Sequence, residues 1–342
     1  MVSLVRAAAL TNFPEVARAA GVDPLPLLRA AGLTASQLRE PELKLPADKA
    51  ARLLELAAAA SGLESFGLRM AETRQLSNLG PVGLLVRDQP TLRAALEVLL
   101  RYHVLVNGAL ALAIEEAAGV VVIREDVIVG HPQPVRQAVE LAIGVMLRLM
   151  RQCLGPHWQP RRVCFSHPAP KDVGTHLRVF GPCVEFDHDF NGIVCARTDL
   201  DTPNPQADPA MARYAQQLLD STLGPAAQQP SLLEDVRRAI VLLLPSGRCS
   251  IEQVADSLGV VCRTVQRRLA EQGLTFSGLV NELRVELATR HVGESDRPLT
   301  EVAALLGFSA PSGFSRWYHG QFGCSPTQAR AQRAAGRPAI KE

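Results

Sequence analysis

One six-residue pattern occurs twice near the end of this chain. Val254-Ala255-Asp256-Ser257-Leu258-Gly259 recurs 48 residues later as Val302-Ala303-Ala304-Leu305-Leu306-Gly307. In each copy Val, Ala and Leu fall at helical spacing. A Gly closes each run, where it adopts positive φ at little cost and turns the chain sharply. A second amphipathic helix follows each turn. In the first copy it spans Arg263 to Gln272, with Val265 and Leu269 inward; in the second it spans roughly Pro311 to Phe322, with Phe314 and Tyr318 inward. The inward positions are now 49 apart, so the second turn carries one extra residue. Helix, glycine turn and helix make the helix-turn-helix pattern, here at about 251–272 and 300–322.

Chemistry marks the helix boundaries. Ser231-Leu232-Leu233-Glu234, Ser250-Ile251-Glu252-Gln253 and Ser325-Pro326-Thr327-Gln328 have the form of capping boxes. Pro326 also takes the first helical position, where its missing N–H is not needed. Pro245 ends the helix opened at Ser231. Between the two motifs, Ser277 to Val292 reads as one helix of about 15 residues, hence about 22 Å long. Such a rigid spacer suits two recognition helices held roughly 34 Å apart, one DNA turn, on one face of a duplex.

The outward face of the first second-helix carries Arg263, Gln266, Arg267 and Arg268. Arginine suits bidentate contact with guanine and glutamine with adenine, and either also binds phosphate. The other carries Ser312, Ser315, Arg316 and His319, groups more suited to the DNA backbone. Residues 250–337 hold ten arginines against eight acidic residues, a balance of +2. Glu252, Glu282, Glu286 and Glu301 are therefore expected away from the DNA. The bland alternative is a solvated face of a helical bundle that docks another protein and ignores DNA. Two copies with Arg/Gln faces joined by a spacer favour DNA.

Several runs carry a family likeness. Gly307-Phe308-Ser309, Ser312, Phe314-Ser315-Arg316, Phe322-Gly323, Ser325-Pro326 and Arg330 form the most specific set. Arg263-Thr264-Val265-Gln266-Arg267-Arg268-Leu269 and the run from Gly273 to Phe276 add to it. With these, residues from about 231 to 333 resemble the DNA-binding domain of the AraC/XylS family of bacterial transcription regulators. The resemblance implies double-stranded promoter DNA as a partner, a homodimer, a cytoplasmic location, and RNA polymerase as a further partner if the protein is an activator. Three positions depart from the family pattern. Val261 stands where a capping Ser is usual, at a cost of about 1 kcal/mol to the helix start. Gly313 replaces an alanine or larger residue and weakens a helix interior by about 1 kcal/mol. Trp317 occupies a position where a small residue is common.

The rest of the chain is large enough for another domain. With 342 residues, 47% of them hydrophobic, two or three domains are expected. Basic and acidic residues nearly balance, 36 to 34, which excludes a highly basic DNA-packaging protein; the hydrophobic content excludes a disordered tail. No stretch of about 20 apolar residues suggests a spanning helix, and the first residues do not form a secretory signal. Seven cysteines at irregular spacing read as reduced thiols in a cytoplasm.

Residues 1–75 read as helical, followed by helices near 80–87 and 91–106, the latter capped by Thr91. Ala109 to Ile114 and Val120 to Val129 suggest a hairpin turned at Gly119. Pro134 to Leu154 reads as a long helix. Arg162 to Ser166, Val184 to Phe186 and Ile193 to Ala196 read as strands, with a helix near 171–180. The expected fold class is thus an N-terminal α+β domain over 1–200 with a helical N-terminal part, and an all-α domain with two helix-turn-helix motifs over 231–335. Breaks at 201–209 and 223–230 around a helix near 209–222 suggest a linker over 201–230.

Residues from about 20 to 205 resemble the AraC-type arabinose-binding N-terminal domain. The matching runs are Asn78-Leu79-Gly80-Pro81, Thr91 to Leu96 with Arg101-Tyr102-His103, Val163 to Pro170, and Phe180-Gly181 with Val184-Glu185-Phe186. This resemblance implies sensing of a small-molecule effector and pairing of two chains. The resemblance does not name the effector; an amino acid, a fatty acid or another carboxylate is the expected class. Arg101, Tyr102 and His103 offer cationic, phenolic and imidazole groups to hold it; the alternative is a solvated helix face with Tyr102 half buried.

His103, His131, His157, His167, His176 and His188 are scattered, as are Cys153, Cys164, Cys183 and Cys195. None has the tight spacing of a metal motif, so no metal and no cofactor is expected. A metal- or thiol-redox-sensing regulator remains as an alternative reading. No Gly-rich phosphate loop, GxSxG or Cys/His signature is present, so no catalytic residues are assigned and an enzyme is not expected.

Overall fold

The protein is described here by a computed structural model covering residues 3–227, 232–247 and 249–334. Ser231, the expected cap of the first C-terminal helix, lies outside the described residues. The chain forms two compact units, one built mainly from the residues before 230 and the other mainly from those after it. No helix among the described residues is long and apolar enough to cross a membrane.

The first unit begins with β1 (Leu4–Arg6), α1 (Phe13–Ala19), α2 (Pro24–Ala30), α3 (Ala35–Leu38) and β2 (Lys44–Pro46). It continues through α4 (Ala47–Ser61), α5 (Phe66–Glu72), α6 (Pro81–Arg87) and α7 (Leu92–Val106). Then come β3 (Leu110–Ala117), β4 (Val120–Val127), α8 (Arg136–Leu154) and β5 (Arg162–Cys164). α9 (Gly174–Phe180), β6 (Val184–Glu185), β7 (Gly192–Ala196), α10 (Arg197–Leu200) and α11 (Pro209–Ala227) complete it. The sheet order is β3-β4-β7-β5-β6, antiparallel except for the β5–β6 pair. The β3–β4 hairpin turns at Ala118 and Gly119, both at positive φ. Thr91 caps α7 by accepting a hydrogen bond from Ala94 N at 3.3 Å.

Two expectations need correction. The stretch read as purely helical contains β1 and β2, which pair antiparallel across about forty residues of sequence. The helix expected near 209–222 runs on to Ala227, through Gly224-Pro225. It packs on α6 and buries Ala215 and Leu219, so it is part of the first unit's core rather than a free linker element.

Helix α8 is the spine of this unit. It crosses α5 closely, because both helices place glycines at the contact. A Cβ on Gly67 would lie 1.9 Å from Gln137 O, and one on Gly144 would lie 2.5 Å from the Ala71 side chain. The approach lets Gly67 N donate to Gln137 Oε1 at 2.8 Å.

The second unit comprises α12 (Leu232–Leu243), α13 (Ile251–Ser257), α14 (Cys262–Ala270), α15 (Phe276–Glu294), α16 (Leu299–Leu305), α17 (Pro311–Phe322) and α18 (Pro326–Ala334). α13–α14 and α16–α17 are the two helix-turn-helix motifs. α15 joins them with 19 residues, longer than the sequence suggested, and spans roughly 28 Å. Gly259 and Gly307 turn the motifs at φ +64° and +71°. Ser250 caps α13 by accepting from Gln253 N at 3.3 Å. At α18 both halves of the capping box form: Gln328 N donates to Ser325 Oγ at 3.2 Å, and Ser325 N donates to Gln328 Oε1 at 2.8 Å.

Candidate nucleic-acid interface and ligand cavity

Each second helix is pinned by one face and free on the other. Val265 and Leu269 of α14 are buried, while Arg263, Gln266, Arg267 and Arg268 are exposed. Phe314 and Tyr318 of α17 are buried, while Ser312, Ser315, Arg316 and His319 are exposed. The sequence spacing therefore places all eight candidate residues outward, as 3.6-residue periodicity requires. Val261 heads α14 without a side-chain cap and is itself exposed.

Glu271 stands beside two of the arginines. Arg268 Nη1 donates to its Oε2 at 3.0 Å, and Arg267 Nε lies 3.8 Å from Oε1. Both arginines are more than half exposed, 66% and 56%, so water screens these pairs and the guanidiniums can exchange Glu271 for a phosphate or a base edge.

The second motif is stiffened by aromatic packing. Phe308, Phe314, Trp317, Tyr318 and Phe322 form a cluster in which the Tyr318 and Phe322 rings lie 4.3 Å apart. The Arg284 guanidinium of α15 stands 4.5 Å from the Phe308 ring centre and donates from Nε to Leu306 O at 2.8 Å. Trp317, read from sequence as a departure, half-buries itself in this cluster and donates its indole N–H to Asn281 Oδ1.

The first unit contains a mostly apolar cavity of about 120 Å³. Its walls come from α4, α7, α8, β1, β3 and β4, with Leu54, Leu141 and Met146 among the apolar residues. The polar groups at its surface include Arg6, Arg74, His103 and Glu125. Of the three expected effector contacts, only His103 lines this cavity. Arg101 is exposed, and Tyr102 is buried elsewhere with its hydroxyl accepting from Gln216 Nε2 at 2.7 Å. Three successive helical residues point about 100° apart, so they cannot share one pocket.

Sequence reasoning passed over Arg74 and Glu125. A signal for Glu125 was present: it breaks the row Val121, Ile123, Glu125, Val127, the inward parity of β4. Burial raises its carboxyl to about 8. Burial, and then the Arg6 charge, lower Arg74 to about 10.

The fold also gathers residues that no motif connects. Ligand atoms of Cys164, Glu185 and His188 lie within 4.8 Å of one another. Burial, and then the Glu185 charge, push the Cys164 thiol up to about 12, which disfavours the thiolate that a metal ligand must become. All seven cysteines are free thiols.

Comparison with known proteins adds to these observations. Residues 21–204 match the domain family described as the arabinose-binding domain of AraC transcription regulator, N-terminal, and residues 254–332 match a helix-turn-helix domain. The HTH-type transcriptional regulator VirS of Mycobacterium tuberculosis is 32% identical over 96% of this chain and 97% of its own length. The ornithine utilization regulator of Pseudomonas aeruginosa is 28% identical over 91% of each chain. Among solved structures, the transcriptional regulator CdpR of Pseudomonas aeruginosa is 22% identical, with a TM-score of 0.44, over 90% of this chain and 96% of its own. These relatives are transcription regulators rather than enzymes. With its paired helix-turn-helix motifs and matching N-terminal domain, the chain belongs to the AraC family of DNA-binding transcriptional regulators.

Proposed function

We propose that this protein is a one-component regulator that binds promoter DNA through α14 and α17 and answers to a small organic effector held in its first unit. The observation that carries the DNA half is the outward row Arg263, Gln266, Arg267 and Arg268 on a helix anchored by Val265 and Leu269. In this reading α14 reads base edges and α17 contributes mostly backbone contacts through Ser312, Ser315, Arg316 and His319. α15 spaces the two helices for successive major grooves.

The effector half is supported by the cavity in the unit that matches an arabinose-binding domain, and by a relative named for ornithine utilization. Pairing of two chains is supported by Met211, Tyr214 and Leu218, exposed apolar residues at helical spacing on α11. The protein acts in the cytoplasm, and an activator role would bring it into contact with RNA polymerase.

The test is a mobility-shift titration of the full chain with DNA upstream of the neighbouring genes. Sequence-specific retention that weakens steeply with salt supports the reading. Equal retention of all duplexes, or none at low salt, refutes it and favours a protein-docking bundle.

A further inference from the structure

We infer that the cavity of the first unit binds a small organic carboxylate with an apolar body, its carboxylate on Arg74 and its body among the side chains of α4 and α8. This rests on the effector-sensing reading above and names the ligand class and the residues that select it.

Among the described residues, Arg74 is a buried cation with no ion-pair partner. It follows α5 and is 6% exposed. Its Nη1 donates to Ala8 O at 2.5 Å, its Nε has no hydrogen-bond partner, and among the described residues no carboxylate forms an ion pair with it. Arg6, its neighbour in the cavity wall, is already engaged: it pairs with Glu42 and donates from Nη1 to Asn78 O at 3.0 Å. A desolvated, uncompensated guanidinium is costly, and an incoming anion relieves that cost.

A second hollow, polar in character, shares Arg74, Leu79 and Val145 with the cavity and adds Arg87 and Arg148. Arg87 is held by Asp88 through two hydrogen bonds of 2.9 and 2.7 Å, so Arg148 and Arg74 supply the positive charge that draws an anion inward. The cavity surface is otherwise mainly aliphatic, which suits an apolar body and excludes a polyanion such as a nucleotide.

Glu125 of β4 is a second buried polar group in the cavity wall. It is 3% exposed, and its Oε2 has no hydrogen-bond partner among the described residues. Held near 8 by burial, it is protonated at neutral pH and does not repel a carboxylate. The other charged or titratable groups lining the cavity are Arg6 of β1, Arg74, and His103 of α7. His103 Nδ1 donates to Leu100 O at 2.8 Å. Ionisation of Glu125 above pH 8 therefore adds a negative charge beside the ligand and weakens carboxylate binding.

Calorimetric titration of the full chain at pH 7 tests this with acetate, benzoate, hexanoate and decanoate, and with hexylamine and hexan-1-ol as charge controls. At least one carboxylate should bind at one per chain, and both controls should bind at least about tenfold more weakly. Arg74→Met should weaken carboxylate binding by about thirtyfold or more while sparing hexan-1-ol. Because Arg74 also ties down Ala8, the charge series on the unaltered chain is decisive by itself if that variant misfolds. Raising the pH to 9 should weaken carboxylate binding, and Glu125→Gln should remove that loss. Equal or tighter binding of hexylamine or hexan-1-ol overturns the carboxylate assignment and leaves effector sensing standing. Failure of all six probes overturns the site. Carboxylate binding that never alters promoter affinity or transcription upholds the site and sinks the effector-sensing reading.

Discussion

Trp317 of α17 donates its indole N–H to Asn281 Oδ1 of α15, locking the second recognition helix to the spacer that joins the two motifs. The bond ties the orientation of α17 to that of α15. Trp317→Phe keeps the ring among Phe308, Phe314 and Phe322 but deletes the donor. It should cost about 1 kcal/mol of stability in chemical denaturation and weaken promoter binding without changing its salt slope. Weakened promoter binding with unchanged stability would instead place the indole N–H at the DNA.

The two turn glycines are expected to differ in tolerance. Both need positive φ, so alanine costs about 1–2 kcal/mol at either one. At Gly259 a Cβ meets open space. At Gly307 it meets Leu244 Cδ2 at 3.2 Å and Leu244 O at 3.3 Å. Gly307→Ala should therefore destabilise by about 1 kcal/mol more than Gly259→Ala in parallel denaturant titrations. Equal losses would show that Leu244 gives way freely.

The sequence made the second unit readable because its signals are local. Val254 to Gly259, Val302 to Gly307, the caps at Ser250 and Ser325, and the inward pairs Val265–Leu269 and Phe314–Tyr318 all lie within a few residues of the structure they specify. In the first unit the deciding contacts are remote. Leu4-Val5-Arg6 is too short to show a strand period and becomes one only by meeting Lys44-Leu45-Pro46. α11 continues through Gly224-Pro225, which on local grounds should end it, and its Ala215 and Leu219 are buried in the first unit's core. The cavity was illegible for the same reason. Arg74, His103 and Glu125 meet only after α7, α8 and the sheet come together, whereas adjacent Arg101, Tyr102 and His103 diverge around their helix.

Arg267→Ala should cost roughly 1–3 kcal/mol of affinity for the specific site and relax preference at one base pair, as read by competition among operator variants. An equal loss on every sequence, with a salt slope reduced by about one, would assign Arg267 to a phosphate.

Glu125 makes stability fall with rising pH. Its folded value, about 8, lies above the ordinary carboxyl range. The stabilising contribution is complete below the unfolded value near 4.3 and is lost progressively as pH rises toward 8, where the folded form also ionises. Glu125→Gln should thus stabilise the protein by roughly 2–3 kcal/mol at pH 7 relative to its effect at pH 4.5, as judged by thermal melts across that range. A pH-independent difference would show that Glu125 reaches water.

Tyr214→Glu places a charge in the exposed row Met211, Tyr214 and Leu218 of α11. Sedimentation should show a dimer for the unaltered chain and a monomer for this variant, with circular dichroism unchanged. A dimer that survives the substitution pairs through another surface.

Methylation interference at guanine N7 on a bound promoter fragment examines the paired reading helices themselves. Two clusters of interfering guanines on one face of the duplex, about 10 base pairs apart, are expected, with Arg263→Ala and Arg267→Ala erasing sites in one cluster only. A single cluster that both recognition helices share, or interference spread evenly along the fragment, refutes the two-groove mode.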